Sequence, residues 1–81
     1  MENNLGTLLI TGGTGSFGKA VLDRFLNTEV FSEIRILSRD EKKQSDLRKR
    51  VANARVKFFI GDVRNKRSVD RAMQDVDYVF H

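Results

Sequence analysis

The sequence predicts an α/β fold in which a parallel β-sheet carries helices on both faces. Short runs of branched and aromatic residues, typical of strands, alternate along the 81 residues with segments whose apolar residues recur at helical spacing. A glycine-rich loop separates the first strand from the first helix, and there is no proline to mark an interdomain linker. Because strands alternate with helices, right-handed crossovers should join parallel strands in one domain.

Four strands are predicted, at residues 8–10, 34–37, 56–60 and 78–80. In the usual order 3-2-1-4, the fourth strand lies beside the first, and ligands bind in the crevice at the point where the strand order reverses. About four such strands with helices on both faces form most of one half of a doubly wound sheet, which is a partial Rossmann fold. The fourth strand would leave an unpaired edge.

The helix predicted over residues 16–27 should bury an apolar stripe, because its apolar residues lie on one face. The stripe consists of Phe17, Val21, Leu22, Phe25 and Leu26.

Two more helices are predicted. Before the last strand, apolar residues follow helical spacing from Val69 onward, and either Asn65 or Ser68 could cap the helix. The segment between residues 40 and about 53 is more polar. It carries only Leu47 and Val51 at helical spacing, so a helix there should dock shallowly.

Composition excludes several kinds of site. The absence of cysteine and the presence of one histidine exclude disulfides, thiolate zinc sites and cysteine nucleophiles, so no metal site is predicted. The longest apolar runs have three residues, whereas a bilayer span needs roughly 18, and no apolar signal segment follows Met1. We therefore expect a cytoplasmic protein without a membrane span.

Positive charge is concentrated in residues 35–71, where 13 of the 15 Lys and Arg face five acids, a local net charge of +8. Such a segment could attract nucleic acid, an anionic membrane or a phosphorylated ligand, or it could be a solvated helix face. No pattern of stacking aromatic residues supports nucleic-acid binding, so none is predicted.

The glycine loop carries the most specific motif. Gly13, Gly15 and Gly18 fit G-x-G-x-x-G, while Thr11, Gly12, Gly15 and Gly18 fit T-G-x-x-G-x-x-G. A loop of this kind, placed between a strand and a helix, lets the backbone approach a pyrophosphate, which then lies at the positive end of the helix. Residues 13–19 also match the start of a phosphate-binding P-loop, but Ala20 stands where magnesium binding needs Ser or Thr.

The residues after the second strand favour NADP over NAD. An NAD site usually carries an acidic residue there for the ribose 2′-hydroxyl, but this strand ends in Ser38 and Arg39. The guanidinium of Arg39 suits a 2′-phosphate, and Lys42 and Lys43 follow one turn later. Asp40 could bind a hydroxyl or cap the helix.

Asp62 and Val63 follow the third strand directly. The Asp62 carboxylate could accept from the adenine amine while Val63 lines the ring, or Asp62 could serve as a capping residue. His81 has no nearby Ser, Asp or Lys in the sequence and is assigned no role.

The segments TGGTGSFGKAV, RILSRDEKKQSDLR and VKFFIGDVRNKRSV resemble the extended short-chain dehydrogenases/reductases of bacterial polysaccharide biosynthesis, in particular the inverting UDP-N-acetylglucosamine 4,6-dehydratases. The resemblance implies NADP binding by residues from three segments of the chain. They are Gly12, Thr14, Gly15, Ser16, Phe17, Ser38, Arg39, Asp40, Glu41, Lys42, Lys43, Asp62 and Val63. Asn65 departs from the Asp that the family often has.

The resemblance also implies oxidation at sugar C4, loss of water across C5 and C6, and hydride return to C6. The family's catalytic lysine and sugar-binding residues lie beyond position 81, so the chain is expected to be the NADP-binding N-terminal half of a Rossmann domain, without catalytic residues and inactive alone. UDP-N-acetylglucosamine binding and homo-oligomers are expected only of the full-length protein. Two alternatives stay open: a catalytically silent NADP-binding module, and a piece of another nucleotide-sugar epimerase or reductase.

Overall fold

A computed structural model describes residues 4–12 and 15–81 and confirms the predicted fold class. The strands are β1 (Gly6–Thr11), β2 (Phe31–Ser38), β3 (Val56–Ile60) and β4 (Tyr78–Phe80). The helices are α1 (Ser16–Leu26), α2 (Glu41–Val51) and α3 (Lys66–Met73). The strands pair in parallel in the order β3-β2-β1-β4.

Alternation along the strands builds a core on each face of the sheet. Leu8 and Ile10 of β1 pack on the face that buries Leu22 of α1 and Leu47 of α2. Leu9 points to the other face, because successive side chains of a strand alternate, and it packs with Leu37 and with Ala72 of α3. Two helices therefore cover one face and a single short helix covers the other.

The apolar stripe predicted for α1 is confirmed at Leu22, which is fully buried, and is wrong at Phe17, which is 71% exposed. Phe17 lies in the first turn of α1, and its ring packs against that of Phe80, the last residue of β4, with centroids 5.3 Å apart. The physical reason is position: the first turn of the helix stands at the end of the sheet, so Phe17 stays outside the core.

Helix α2 docks more firmly than its composition indicates, because it buries a polar residue. Gln44 is 1% exposed, and its Nε2 donates to the carbonyl oxygen of Phe59 at 2.8 Å. Asp40 caps the helix by accepting from the amide of Lys43 at 2.9 Å. In the same way Asn65, rather than Ser68, caps α3.

Two arginines of the basic segment hold the amino-terminal edge of the sheet together. The Arg55 guanidinium donates to the carbonyl oxygens of Leu26, Thr28 and Phe31 at 2.9–3.0 Å. Arg35 donates to the carbonyl oxygens of Ala72 and Gln74, at 2.9 and 2.7 Å, and pairs with Glu33. These arginines close the carboxyl ends of α1 and α3, where helices leave carbonyl groups without intrahelical partners.

No helix within residues 4–12 and 15–81 has the length and apolar character to cross a bilayer. In the same described part of the chain, no group of three or more His, Asp or Glu is placed to hold a metal ion.

Candidate functional site

A cleft of about 630 Å³ opens at the carboxyl-terminal edge of the sheet. Residues at or just after the ends of all four strands line it, because the carboxyl ends of parallel strands meet at one edge of the sheet. The strand order reverses at this edge between β1 and β4. The lining residues are Thr11, Gly12, Leu37, Ser38, Arg39, Asp40, Gly61, Asp62, Val63, Arg64 and His81.

The floor of the cleft beside β1 is a glycine turn. Gly12 has φ +65°, a left-handed conformation that favours glycine, and its amide donates to the carbonyl oxygen of Leu37 at 2.9 Å. A Cβ at Gly12 would meet nothing within 4 Å among the described residues, so the space in front of this turn is open. Gly15 precedes α1 and has no side chain with which to cap it, so within the described part of the chain the first amide groups of the helix are available to an anion. The predicted contact at Thr14 lies outside the described residues.

The end of β2 supplies the wall with a cation. Ser38 is buried, and its Oγ accepts from the amide of Asp40 at 3.1 Å. The side chain of Arg39 is 68% exposed at the cleft. Asp40 lines the cleft and also caps α2, so the predicted capping role is confirmed. Its second predicted role, binding of a ribose hydroxyl, stays a prediction.

The lysines and the acid that follow are distributed over other surfaces. Lys43 lies with Gly15 and Ser16 around a second groove of about 290 Å³, which runs between the start of α1 and the length of α2. Lys42 pairs with Asp46 at 3.3 Å, and Glu41 lines a smaller pocket beside α2. The structure therefore brings Lys43 toward the glycine loop, whereas Glu41 and Lys42 line neither the cleft nor this groove.

The Asp62 carboxylate has one chief partner, Arg64. Arg64 donates from its amide at 2.8 Å, from Nε at 3.2 Å to each oxygen, and from Nη2 at 2.9 Å. The side-chain hydrogen bonds of Arg64, and next its backbone amide, lower the pKa of Asp62 from 3.8 to about 2. Arg39 stands 3.6 Å away as a second, looser cation. Asp62 is therefore ionised at neutral pH and already accepts several hydrogen bonds. Val63 is exposed beside it.

Gly61 and Arg64 line the cleft but were not among the predicted site residues, and His81, which the sequence analysis considered and assigned no role, lines it as well. Thr11 Oγ1 lies 2.5 Å from His81 Nδ1, which ties the carboxyl ends of β1 and β4 together. One signal would have found these residues: each lies within four residues after a strand whose carboxyl end faces the crevice. The Asp-x-Arg spacing of Asp62 and Arg64 was the further indication of an ion pair.

A family described as polysaccharide biosynthesis protein matches residues 8–81. The UDP-glucose 4-epimerases of Rickettsia bellii and Rickettsia akari are 65% and 63% identical to the chain over 78 residues. Each match covers 93% of this chain and 23% of the relative, so the chain spans about a quarter of the length of these curated relatives.

Among solved structures, Pen from Bacillus thuringiensis matches with a TM-score of 0.89 at 38% identity, over 100% of this chain and 25% of that one. The expected nucleotide-sugar branch is thus supported. The curated relatives bear the name of epimerases, so the finer expectation of a 4,6-dehydratase is not confirmed.

Proposed function

The chain belongs to the polysaccharide biosynthesis protein family, a family of extended short-chain dehydrogenases/reductases, and from this premise we propose that it binds the adenosine and pyrophosphate part of NADP. The observation that carries the proposal is the cleft itself, which runs from the open glycine turn at Gly12 to the exposed guanidinium of Arg39. The two ends of this cleft offer separate sites for two anionic groups.

The pyrophosphate fits the end of the cleft at Gly12, next to the groove that the start of α1 lines. The left-handed turn lets a ligand approach the backbone, and the uncapped amides of the first helical turn supply donors with the positive end of the helix dipole. Ser16 opens the helix and brings a hydroxyl to the adjoining groove. This end of the cleft does not distinguish NAD from NADP, because both carry the pyrophosphate.

The 2′-phosphate fits the end formed by Arg39. A guanidinium presents paired N–H groups that match a phosphate, and no carboxylate other than Asp40 and Asp62 lines the cleft within the described residues. Asp40 is engaged at the helix cap and Asp62 by Arg64, so neither is poised to select the 2′-hydroxyl of NAD. Lys43 stands in the adjoining groove with Ser16 and adds positive charge. The remaining predicted residues, Phe17, Glu41 and Lys42, stay predictions.

In a protein of its relatives' length, bound NADP would supply hydride transfer from and to a sugar carbon. We place this chain in an enzyme that acts on a UDP-sugar, and two reactions are candidates. C4 epimerisation is favoured by the relatives at 63–65% identity, and 4,6-dehydration by the segments quoted from the sequence. Assaying the gene product with UDP-glucose and with UDP-N-acetylglucosamine separates them. A silent binding module would turn over neither. Cytoplasmic location and homo-oligomers stay predictions.

Calorimetric titration of the chain with NADP⁺ and NAD⁺ tests the binding proposal. We expect tighter binding of NADP⁺, and we expect Arg39→Ala to weaken NADP⁺ by roughly tenfold to a hundredfold, the range for a charged hydrogen bond, with little change for NAD⁺. Arg67→Ala is the matched control, because Arg67 is exposed on α3 and does not line the cleft. Equal losses for both dinucleotides would overturn the assignment of the 2′-phosphate to Arg39.

A further inference from the structure

The carboxylate of Asp62 stands between two guanidinium groups that hold it unequally. Arg64 makes four hydrogen bonds to it, with donor–acceptor distances of 2.8–3.2 Å. Arg39 lies 3.6 Å away and forms an ion pair only. A carboxylate has about four lone-pair positions. The donors of Arg64 therefore fill the acceptor capacity of Asp62, and Arg39 is left as an outer partner.

The three side chains sum to one net positive charge at the cleft. All three line it, and both guanidiniums are largely exposed, at 68% for Arg39 and 76% for Arg64. Asp62 is ionised at neutral pH, since even its ordinary pKa of 3.8 lies far below 7, and Arg64 lowers that pKa further, to about 2. Its negative charge must then be balanced by one of the two arginines.

We propose that Arg64 is a positioning residue for cofactor selectivity: by holding the Asp62 carboxylate, it keeps the charge of Arg39 available to the 2′-phosphate of NADP. This inference rests on the proposed function. Without the positive charge of Arg64, Asp62 would attract the Arg39 guanidinium from its present 3.6 Å into direct contact, and Asp62 would also repel the incoming phosphate. Arg64 thus acts on the phosphate through Asp62.

The test compares the ratio of NADP⁺ to NAD⁺ affinity in the chain and in Arg64→Gln. Glutamine still donates a hydrogen bond to Asp62 but removes the charge. We expect the ratio to fall roughly threefold to fivefold, as for the loss of one largely exposed charge pair. Arg67→Gln, which makes the same change of net charge outside the cleft, should leave the ratio within about twofold.

A double variant tests whether Arg64 acts through Asp62 or contacts the phosphate itself. In Asp62→Asn/Arg64→Gln the carboxylate charge is gone, so the ratio should return to that of the unmodified chain. Because the ratio divides out effects common to both dinucleotides, a changed adenine contact at position 62 does not affect it. Circular dichroism checks folding. If Arg64→Gln does not fold, the ratio of NADP⁺ to NAD⁺ affinity is measured in Asp62→Asn instead. We expect this variant to raise the ratio.

The outcomes distinguish this inference from the function on which it rests. An unchanged ratio in Arg64→Gln overturns the inference and leaves NADP binding standing. A double variant that stays impaired shows that Arg64 touches the phosphate itself, which also overturns it, and so does an Asp62→Asn variant whose ratio does not rise. An unmodified chain with no preference for NADP⁺ overturns the proposed function, and the inference falls with it.

Discussion

The two edges of the sheet use the same residue type for opposite purposes. At the amino-terminal edge, Arg35 and Arg55 point their guanidiniums at backbone carbonyl oxygens, and the side chain of Arg35 is only 13% exposed. At the carboxyl-terminal edge, Arg39 and Arg64 are 68% and 76% exposed and share one carboxylate, Asp62. Both pairs come from the segment that gives the chain its basic character.

The difference teaches that a local excess of positive charge does not by itself identify a binding surface. Strands run from one edge to the other, and helices run back, so helices end at the amino-terminal edge and leave carbonyl groups there. Arginines at that edge complete the fold. The opposite edge receives the strand ends and the start of α1, and there the positive charges of Arg39 and Arg64 face the cleft and the Asp62 carboxylate. The partners of each arginine, and not the number of arginines, separate stability from binding.

The largest expected effect tests this division directly. Arg55→Ala should lower the free energy of unfolding by about 2–3 kcal/mol, because three backbone carbonyl groups lose a charged donor. Arg39→Ala should change it by less than about 0.5 kcal/mol, as an exposed side chain does. Urea unfolding of both variants measures the contrast. Equal destabilisation by the two substitutions would remove the distinction between the edges.

A second prediction sharpens the comparison, because one point of the carboxyl-terminal edge is tightly packed. A Cβ at Gly61 would lie 2.7 Å from Cβ and Oγ of Ser68 and 3.2 Å from Leu37. Gly61→Ala should therefore destabilise the chain by about 1–3 kcal/mol, the usual cost of overpacking. The measurement is the urea midpoint, with Ser68→Gly as the partner variant.

Removing the Ser68 side chain should recover part of the loss at Gly61, so the double variant should be more stable than the sum of the two single effects indicates. Strict additivity would mean that the two positions do not interact, which contradicts a close approach of α3 to the end of β3. At the cleft edge, the close approach of Gly61 to Ser68 thus contrasts with the exposed side chain of Arg39.

The sequence was sufficient for the topology and for the location of the cleft. Alternating periods predicted all four strands and three helices, and the glycine motif predicted the edge at which the cleft opens. The strand limits were less accurate: β2 begins at Phe31, three residues before the predicted start, because its first residues pair with β1 although their apolar pattern is broken by Ser32 and Glu33. Pairing of that kind depends on the neighbouring strand, which no local pattern contains.

The side-chain partners within the site could not be predicted in the same way. Arg55 directly precedes the third predicted strand, and only the packed fold brings it to the carbonyl groups of Leu26 and Thr28, 29 and 27 positions earlier. Arg64 was not assigned to the site, because only the folded chain shows its hydrogen bonds to Asp62. Phe17 was placed in the core because a helical stripe does not reveal where the sheet beneath it ends.

The smallest expected effect concerns the carboxylate of Asp62, with which both Arg39 and Arg64 pair. Because Arg64 lowers the pKa of Asp62 from 3.8 to about 2, the ionised carboxylate stabilises the folded chain above about pH 4, and this contribution is lost as the pH falls toward 2. The difference in unfolding free energy between the chain and Asp62→Asn should thus be constant from pH 6 to about pH 4 and narrow below it.

Asp46→Asn, in an exposed pair with Lys42, is the charge-matched reference. The difference should be small, because the Arg64 side chain is largely exposed to solvent. A difference that persists unchanged to pH 2, or that changes between pH 5 and 6, would show that Arg64 does not lower the pKa of this carboxylate, and the close pairing of Asp62 with Arg64 in the folded chain would be contradicted.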